Sequence, residues 1–230
     1  MSLQAIINIS NGLEINRRKV VGIQYARNEL PRISETPTYN PWKLTVTVPN
    51  SLRYNEARGL IESLDTIDRT TPEVISFSGN PNLSWMFKYI GSLSPTQLES
   101  IGFSSFVGTT LTLDVSALTT TSPSAIVLGQ GDIFNIRGYP YPFTSTTTVT
   151  RGSGSTIQVT THRPNILSSQ PSSGTKLDFG NETNFRVFCP NMPTYRLVIG
   201  GAQFEYGVMI NNALIEFSDN FLLYEYVASA

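Results

Sequence analysis

The sequence predicts a mainly β protein: an antiparallel sandwich or small β-barrel with one amphipathic helix and one short helix. Three observations carry that expectation. Stretches rich in β-branched and aromatic residues recur along the whole chain, most of them bounded by Gly, Pro or Asn. Two stretches alternate with a period of two, as half-buried antiparallel strands do. "KLTVTV" sets Leu44, Val46 and Val48 on one face, and "STIQVTT" sets Ile157 and Val159 inward. Residues 131–165 read as three short strands joined by glycine turns, a spacing that suits a sandwich or barrel rather than βαβ units.

From the N-terminus, "QAIINI", "KVVGIQYA" and "WKLTVTV" are expected strands. Residues 51–68 form a helix, with Ala57, Leu60, Ile61, Leu64 and Ile67 in one stripe that needs a sheet to lie on. Gly59 weakens its middle by about 1 kcal/mol relative to Ala. "EVISFSG" and "LSWMFKYIG" read as further strands. In "SLSPTQLESIG", Ser94, Pro95 and Gln97 make a capping box with proline at the first helical position, and Gly102 can close that short helix. Gly152 and Gly154 are expected to supply the positive φ of a tight hairpin. The ending "ALIEFSDNFLLYEYV" either turns tightly at Asp219-Asn220 or runs on as one strand bulged there. These elements group into an N-terminal β unit, residues 1–80 with the helix 51–68, completed by C-terminal strands 185–230. Residues 81–184 form a small β-barrel domain between them.

Composition narrows the function. Charged residues are only 14% of the chain, against roughly 25% in an ordinary soluble domain. A free monomer covers itself with charge, so this surface is expected to lie against other subunits; a secreted, Thr/Ser-rich monomer has the same numbers. A net charge of −1 provides no basic field for nucleic acid. The cluster "NRRKVV" reads as a strand end, a solvated turn or a subunit salt-bridge patch. One cysteine, Cys189, excludes an internal disulfide and a CxxC metal site. No run approaches the roughly 18 apolar residues of a membrane helix. The start "MSLQAIINIS" lacks the marks of a signal peptide, so synthesis in the cytoplasm is expected.

Few residues offer chemistry. His162, the single histidine, falls at the end of a strand before Arg163-Pro164, and a dyad with Cys189 is the one nucleophilic arrangement available. A strand-end histidine and a buried cysteine are the simpler expectation. Asp65 and Asp68 share a helical face, more simply a solvated one than an acid–base pair. Asp132 follows Gly-x-Gly without a phosphate-binding pattern and is expected to cap a turn. No catalytic, cofactor or metal residues are therefore assigned. The aromatic run "RGYPYPF", with Trp42 or Trp85, is a possible stacking platform for sugars; both tryptophans, set in apolar strands, are expected in the core instead.

"GQGDIFNIRGYPYPFTSTTTVTRGSGSTIQVTTHRP" resembles a segment of virion proteins of tailed bacteriophages. The matching residues are Gly131, Asp132, Phe134, Ile136, Tyr139, Val149, Arg151, Gly152, Gly154, Val159, Arg163 and Pro164. "NPWKLTVTVPNSLRY", "ISFSGNPNLSWMFKYIGSLSPTQ" and "FRVFCPNMPTYRLV" with "ALIEFSDNFLLYEY" are similar to the same proteins, so the resemblance runs from about residue 40 to the end. One departure is "YPYPF", where the family usually has a single tyrosine before the next strand. The resemblance implies a structural subunit of the tail tip or baseplate, connecting the tail tube to distal or receptor-binding components. A carbohydrate- or host-surface-binding module of a tail fibre is the alternative. It further implies no catalysis and no cofactor. The expected partners are copies of itself, in a six-fold or three-fold ring, and other tail proteins, without nucleic acid or membrane, in the virion. Candidate subunit contacts are Arg137, Tyr139, Tyr141 and Phe143 in "RGYPYPF", and Phe221, Leu222 and Tyr224 in "NFLLYEYV".

Overall fold

The computed structural model describes residues 3–16, 21–25, 31–35, 41–49, 52–65, 71–167, 169–198, 204–205, 208–209 and 214–227. They are mainly β, in antiparallel pairings, with three α-helices among them. None of these helices is long and apolar enough to cross a membrane. The chain divides into two compact units: Met1–Ile15, Lys43–Lys88 and Asn181–Tyr226 make the first, and Asn16–Trp42, Tyr89–Gly180 and Val227–Ala230 the second.

The first unit is built on a five-stranded sheet in the order Gly12–Asn16, Lys43–Thr47, Phe221–Glu225, Phe185–Phe188, Glu73–Ile75. Alternation sorts its side chains. Leu44 lies opposite Leu223, Val46 opposite Phe221, and Phe185 opposite Ile75, and all six are buried. Each such side chain contributes roughly 1.5–3 kcal/mol by leaving water. Phe77 and Phe87 close on Phe185 with ring centroids 5.5 and 5.9 Å away.

Three expectations for this unit are corrected. "QAIINI" is not a strand but helix α1, Leu3–Ile9, because Leu3, Ile6 and Ile7 also fit a helical stripe and are all buried. Tertiary burial overrides the β preference of the isoleucines. The helix serves the sheet edge: the Gln4 side-chain amide donates to the Ser76 carbonyl at 2.9 Å and accepts from the Ser76 N–H at 2.8 Å. A side chain thus stands where a neighbouring strand would pair. "LSWMFKYIG" is likewise not a strand; it holds a 3₁₀ turn, Ser84–Phe87. Asn80 causes the turn, its Oδ1 accepting from the Asn82 and Leu83 N–H groups at 2.7 and 3.1 Å. The C-terminal run is neither a hairpin nor one bulged strand. Leu214–Phe217 pairs with Tyr195–Val198, whereas Phe221–Glu225 joins the five-stranded sheet.

Helix α2, Tyr54–Asp65, buries Ala57 and Ile61 on Ile215, with Leu52, Tyr54 and Leu64 around them, so its stripe does lie on strands. Leu60 is only half-buried. Ile67 and Asp68 lie outside the described residues, as do Arg17, Arg18 and Lys19 of the basic cluster.

In the second unit two three-stranded sheets enclose one core. Thr156–Thr160, Thr110–Asp114 and Gly102–Val107 form one sheet; Phe143–Thr144, Ile133–Ile136 and Leu177–Phe179 form the other. Ile157 and Val159 face inward. The expected barrel does not close among the described residues, and a sandwich fits. The sheets touch at their margins through single bridges, Ser145 with Thr161 and Gly102 with Lys176. The second margin depends on glycine: a Cβ on Gly102 would lie 3.2 Å from the Gly174 Cα, and Gly174 itself has φ +86°. The capping box opens helix α3, Pro95–Leu98, at Ser94. Gly152 adopts φ +60°, but Gly154 is not in the positive-φ region.

Gly59 is exposed in the middle of α2, with nothing within 4 Å of the position a Cβ would take. Gly59→Ala should therefore raise stability by about 0.5–1 kcal/mol. Urea unfolding checks it, as a higher midpoint at unchanged slope.

Candidate contact surface

Within the stretch 131–165, Asp132, Arg151, Arg163 and His162 direct polar atoms to the backbone. The Asp132 carboxylate accepts the N–H groups of Ile90 and Gly129, both at 2.7 Å, and so caps the turn between two strands. Burial pushes its pKa up, and the backbone N–H bonds pull the other way. Arg151 donates from Nε to the Leu118 carbonyl at 3.2 Å and from Nη1 to those of Gly152 and Gly154 at 3.1 and 2.6 Å. Arg163 is almost wholly buried; its Nη2 donates to the Pro142 carbonyl at 2.7 Å and its guanidinium lies 5.1 Å over the Phe143 ring. Nε1 of Trp42 donates to the same carbonyl at 3.3 Å.

His162 belongs to this framework. Its Nδ1 accepts the Thr144 N–H at 3.0 Å, its own N–H donates to the Thr144 carbonyl at 3.0 Å, and its ring stands edge-on to Trp42 at 5.8 Å. It therefore helps to join the two sheets at one margin. Cys189 is buried in the first unit, whereas His162 is in the second. The side chain of Asp65 and all of Asp68 lie outside the described residues. Among the described residues no cluster of three His, Cys, Asp or Glu side chains is placed to hold a metal ion.

The candidate contact residues separate into four sets. Tyr141, Phe143 and Phe221 are buried in the chain's own core, which withdraws them as contacts. Arg137 is exposed but engaged: Nε meets Asp178 at 2.9 Å, while Nη1 and Nη2 meet the two oxygens of Glu99 at 3.2 and 2.8 Å. Tyr139 is half-buried against the core. "RGYPYPF" is thus a core-lining bend and not an apolar edge.

Leu222 and Tyr224 fall elsewhere. Residues directly opposite in adjacent strands share a face, and the register puts Lys43, Tyr224 and Phe188 in one row on the outer face of the five-stranded sheet. Val74, Arg186 and Tyr226 form the next row, closed by the Tyr226 N–H to the Arg186 carbonyl at 2.8 Å. Leu222 lies opposite Thr45 beside them. Phe188 meets the rings of Tyr224 and Tyr226 at 6.0 and 6.1 Å. Lys43 lies 5.5 Å over Tyr224 and Arg186 5.1 Å over Tyr226. Val74 and Tyr226 are exposed, and the rest of both rows is half-buried.

This aromatic and cationic face is the candidate contact surface. Lys43, Arg186, Phe188, Tyr226 and Val74 were missed in sequence, although alternation was readable: Leu222, Tyr224 and Tyr226 are the partners of one face against Phe221, Leu223 and Glu225 of the other. The second tryptophan was misplaced. Trp42 is in the core as expected, but Trp85 is 69% exposed. No family model matches the chain, and no curated protein matches it significantly in sequence.

Two expected outcomes follow from the polar groups. Asp132→Ala strands the buried Gly129 N–H and the part-buried Ile90 N–H and should cost about 1–3 kcal/mol in chemical unfolding. The second concerns pH. The Arg137 guanidinium holds the Glu99 carboxyl below its ordinary value, so the fold favours the ionised form. That contribution is present above the unfolded value and is lost as pH falls through the folded one. Both groups are exposed, so it is small. Glu99→Gln should be slightly less stable than wild type at neutral pH, and the gap should close in acid below about pH 4. A constant gap across that titration rules the ion pair out as its source.

Proposed function

We propose that the protein is a virion structural protein of a tailed bacteriophage, a subunit of the tail tip or baseplate that connects the tail tube to distal or receptor-binding components. It works by shape and contact, not by catalysis. The observation that carries this is the use of the residues behind the phage-tail resemblance. Asp132, Arg151 and Arg163 direct their polar atoms to carbonyls and N–H groups of their own unit, which is scaffolding. The outer sheet face supplies the contact side chains. Tyr and Arg are enriched where subunit contacts are strongest, and this face holds both beside exposed Val74. Each copy would present it to a neighbour in a homo-oligomeric ring, six-fold or else three-fold, with other tail proteins completing the contacts.

Leu222→Asp with Tyr224→Asp alters the outer face and leaves the inner row of Phe221 and Leu223 intact. The expected result is a folded chain by circular dichroism, with particle infectivity reduced at least about tenfold through lost incorporation. A map of the assembled particle in which this face touches no neighbouring chain overturns the assignment.

A further inference from the structure

Trp85 is presented to solvent by a turn that is otherwise fastened to the core. Asn80, wholly buried, donates from Nδ2 to the Ile7 carbonyl and, at 2.9 Å, to the Ser10 carbonyl. Its Oδ1 takes up two N–H groups of the turn. Ser84 N–H bonds to the Asn80 carbonyl at 2.9 Å, and Met86 N–H to the Leu83 carbonyl at 3.0 Å. Leu83 is buried on one side of Trp85, and on the other Phe87 lies against Phe77 at 5.2 Å. With both flanks plugged into the interior, the indole has no inward course.

The indole N–H is already used, donating to the Asn82 carbonyl at 2.7 Å. That bond fixes the ring and leaves its π surface as the part available to a ligand. The 3₁₀ turn spans Ser84–Phe87, and Asn82 and Lys88 border it, three residues before and after Trp85 and both exposed; the Asn82 carbonyl holds the indole, and the Lys88 N–H bonds back to the Trp85 carbonyl at 3.2 Å. Neither the Asn82 side-chain amide nor the Lys88 ammonium has a hydrogen-bond or ion-pair partner among the described residues. Along the chain this turn therefore carries, in order, an amide, a fixed aromatic plate and an amine.

We propose that this turn is a saccharide-binding site. A pyranose ring has an apolar C–H face that lies flat on an aromatic plate, and hydroxyl groups around its rim that need donors and acceptors. Trp85 supplies the plate, and Asn82 and Lys88, which border its turn, supply the polar groups for the rim. An apolar protein segment would use the plate and leave the amide and the amine to be desolvated without partners, at a cost. Lys88 makes an acidic sugar the better ligand. The site uses none of the residues of the outer sheet face and stands whether or not the assembly proposal holds.

The chain has two tryptophans, one buried and one exposed, so acrylamide quenching of tryptophan fluorescence in the full-length protein reports mainly on Trp85. The probes are cellobiose, lactose and sialyllactose at millimolar concentrations. At least one, sialyllactose first, should shield the ring and roughly halve the quenching constant. Asn82→Ala and Lys88→Ala remove exposed side chains with no hydrogen-bond or ion-pair partner among the described residues, so both variants should keep the fold and each weaken the shielding. Trp85→Ala should abolish binding of the same sugar by isothermal titration. If none of the three sugars shields Trp85, or if binding survives Trp85→Ala, the proposal is wrong. It is also wrong if Trp85→Ala blocks particle assembly while no sugar binds, since the ring then belongs to a protein contact.

Discussion

Short strands leave main-chain groups over, and the whole structure depends on buried polar side chains to take them up. An unsatisfied buried N–H or carbonyl costs about 1–3 kcal/mol, so a fold of two- to six-residue strands cannot leave many. Asp132 satisfies two N–H groups, Arg151 reaches three carbonyls, and Asn80 connects its own turn to the end of α1. Gln4 does for a sheet edge what a further strand would do. The ladders alone do not close either unit. Side chains complete them.

That constraint explains which residues are available for contact. Once Arg163, Trp42 and His162 are committed to the Pro142–Thr144 segment, the tyrosine–proline run beside it is drawn inward. Tyr141 and Phe143 become core, and Arg137 is held by two carboxylates at its exposed end. The five-stranded sheet follows the opposite logic. Its inner row is covered by the Phe77 and Phe87 rings against Phe185, so the aromatic residues of alternate positions have only the outer face to occupy.

What was legible in the sequence follows the same division. Alternation in "KLTVTV" and "STIQVTT" placed Leu44, Val46, Ile157 and Val159 inward, because one-sided burial imposes a period of two. The capping box at Ser94 was readable since all its partners lie within four residues. By contrast, α1 is held by Glu73 and Ser76, some seventy residues away, and local propensity could not register them. The same holds for Asn80, whose grip on Ile7 and Ser10 converts an apolar stretch into a turn and turns Trp85 outward. Of the outer sheet face, Leu222 and Tyr224 could be picked out in the sequence as alternate positions of one strand. Their neighbours Arg186 and Val74 come from strands whose order in the sheet is a tertiary fact.

The two cations on the outer face decide how that surface behaves before it meets a partner. A sheet face of Leu222, Tyr224, Tyr226, Phe188 and Val74 left bare would be a site for indiscriminate association. Lys43 and Arg186 lie over two of the rings and bring charge to the face. At an exposed site such a contact contributes about 0.5–1 kcal/mol. Burying a tyrosine ring against a matched neighbour contributes more, roughly 1.5–3 kcal/mol. The cations therefore lose to a partner that covers the rings well and prevail against one that covers them poorly. A complementary neighbour can move the Lys43 and Arg186 stems aside, or pair their heads with its own carboxylates at the rim. A chance encounter does neither, and would desolvate two charges for little apolar gain. If the proposed assembly holds, the low overall charge and the placement of these two cations are one device: a face apolar enough to be covered by a neighbour and guarded where its rings are open.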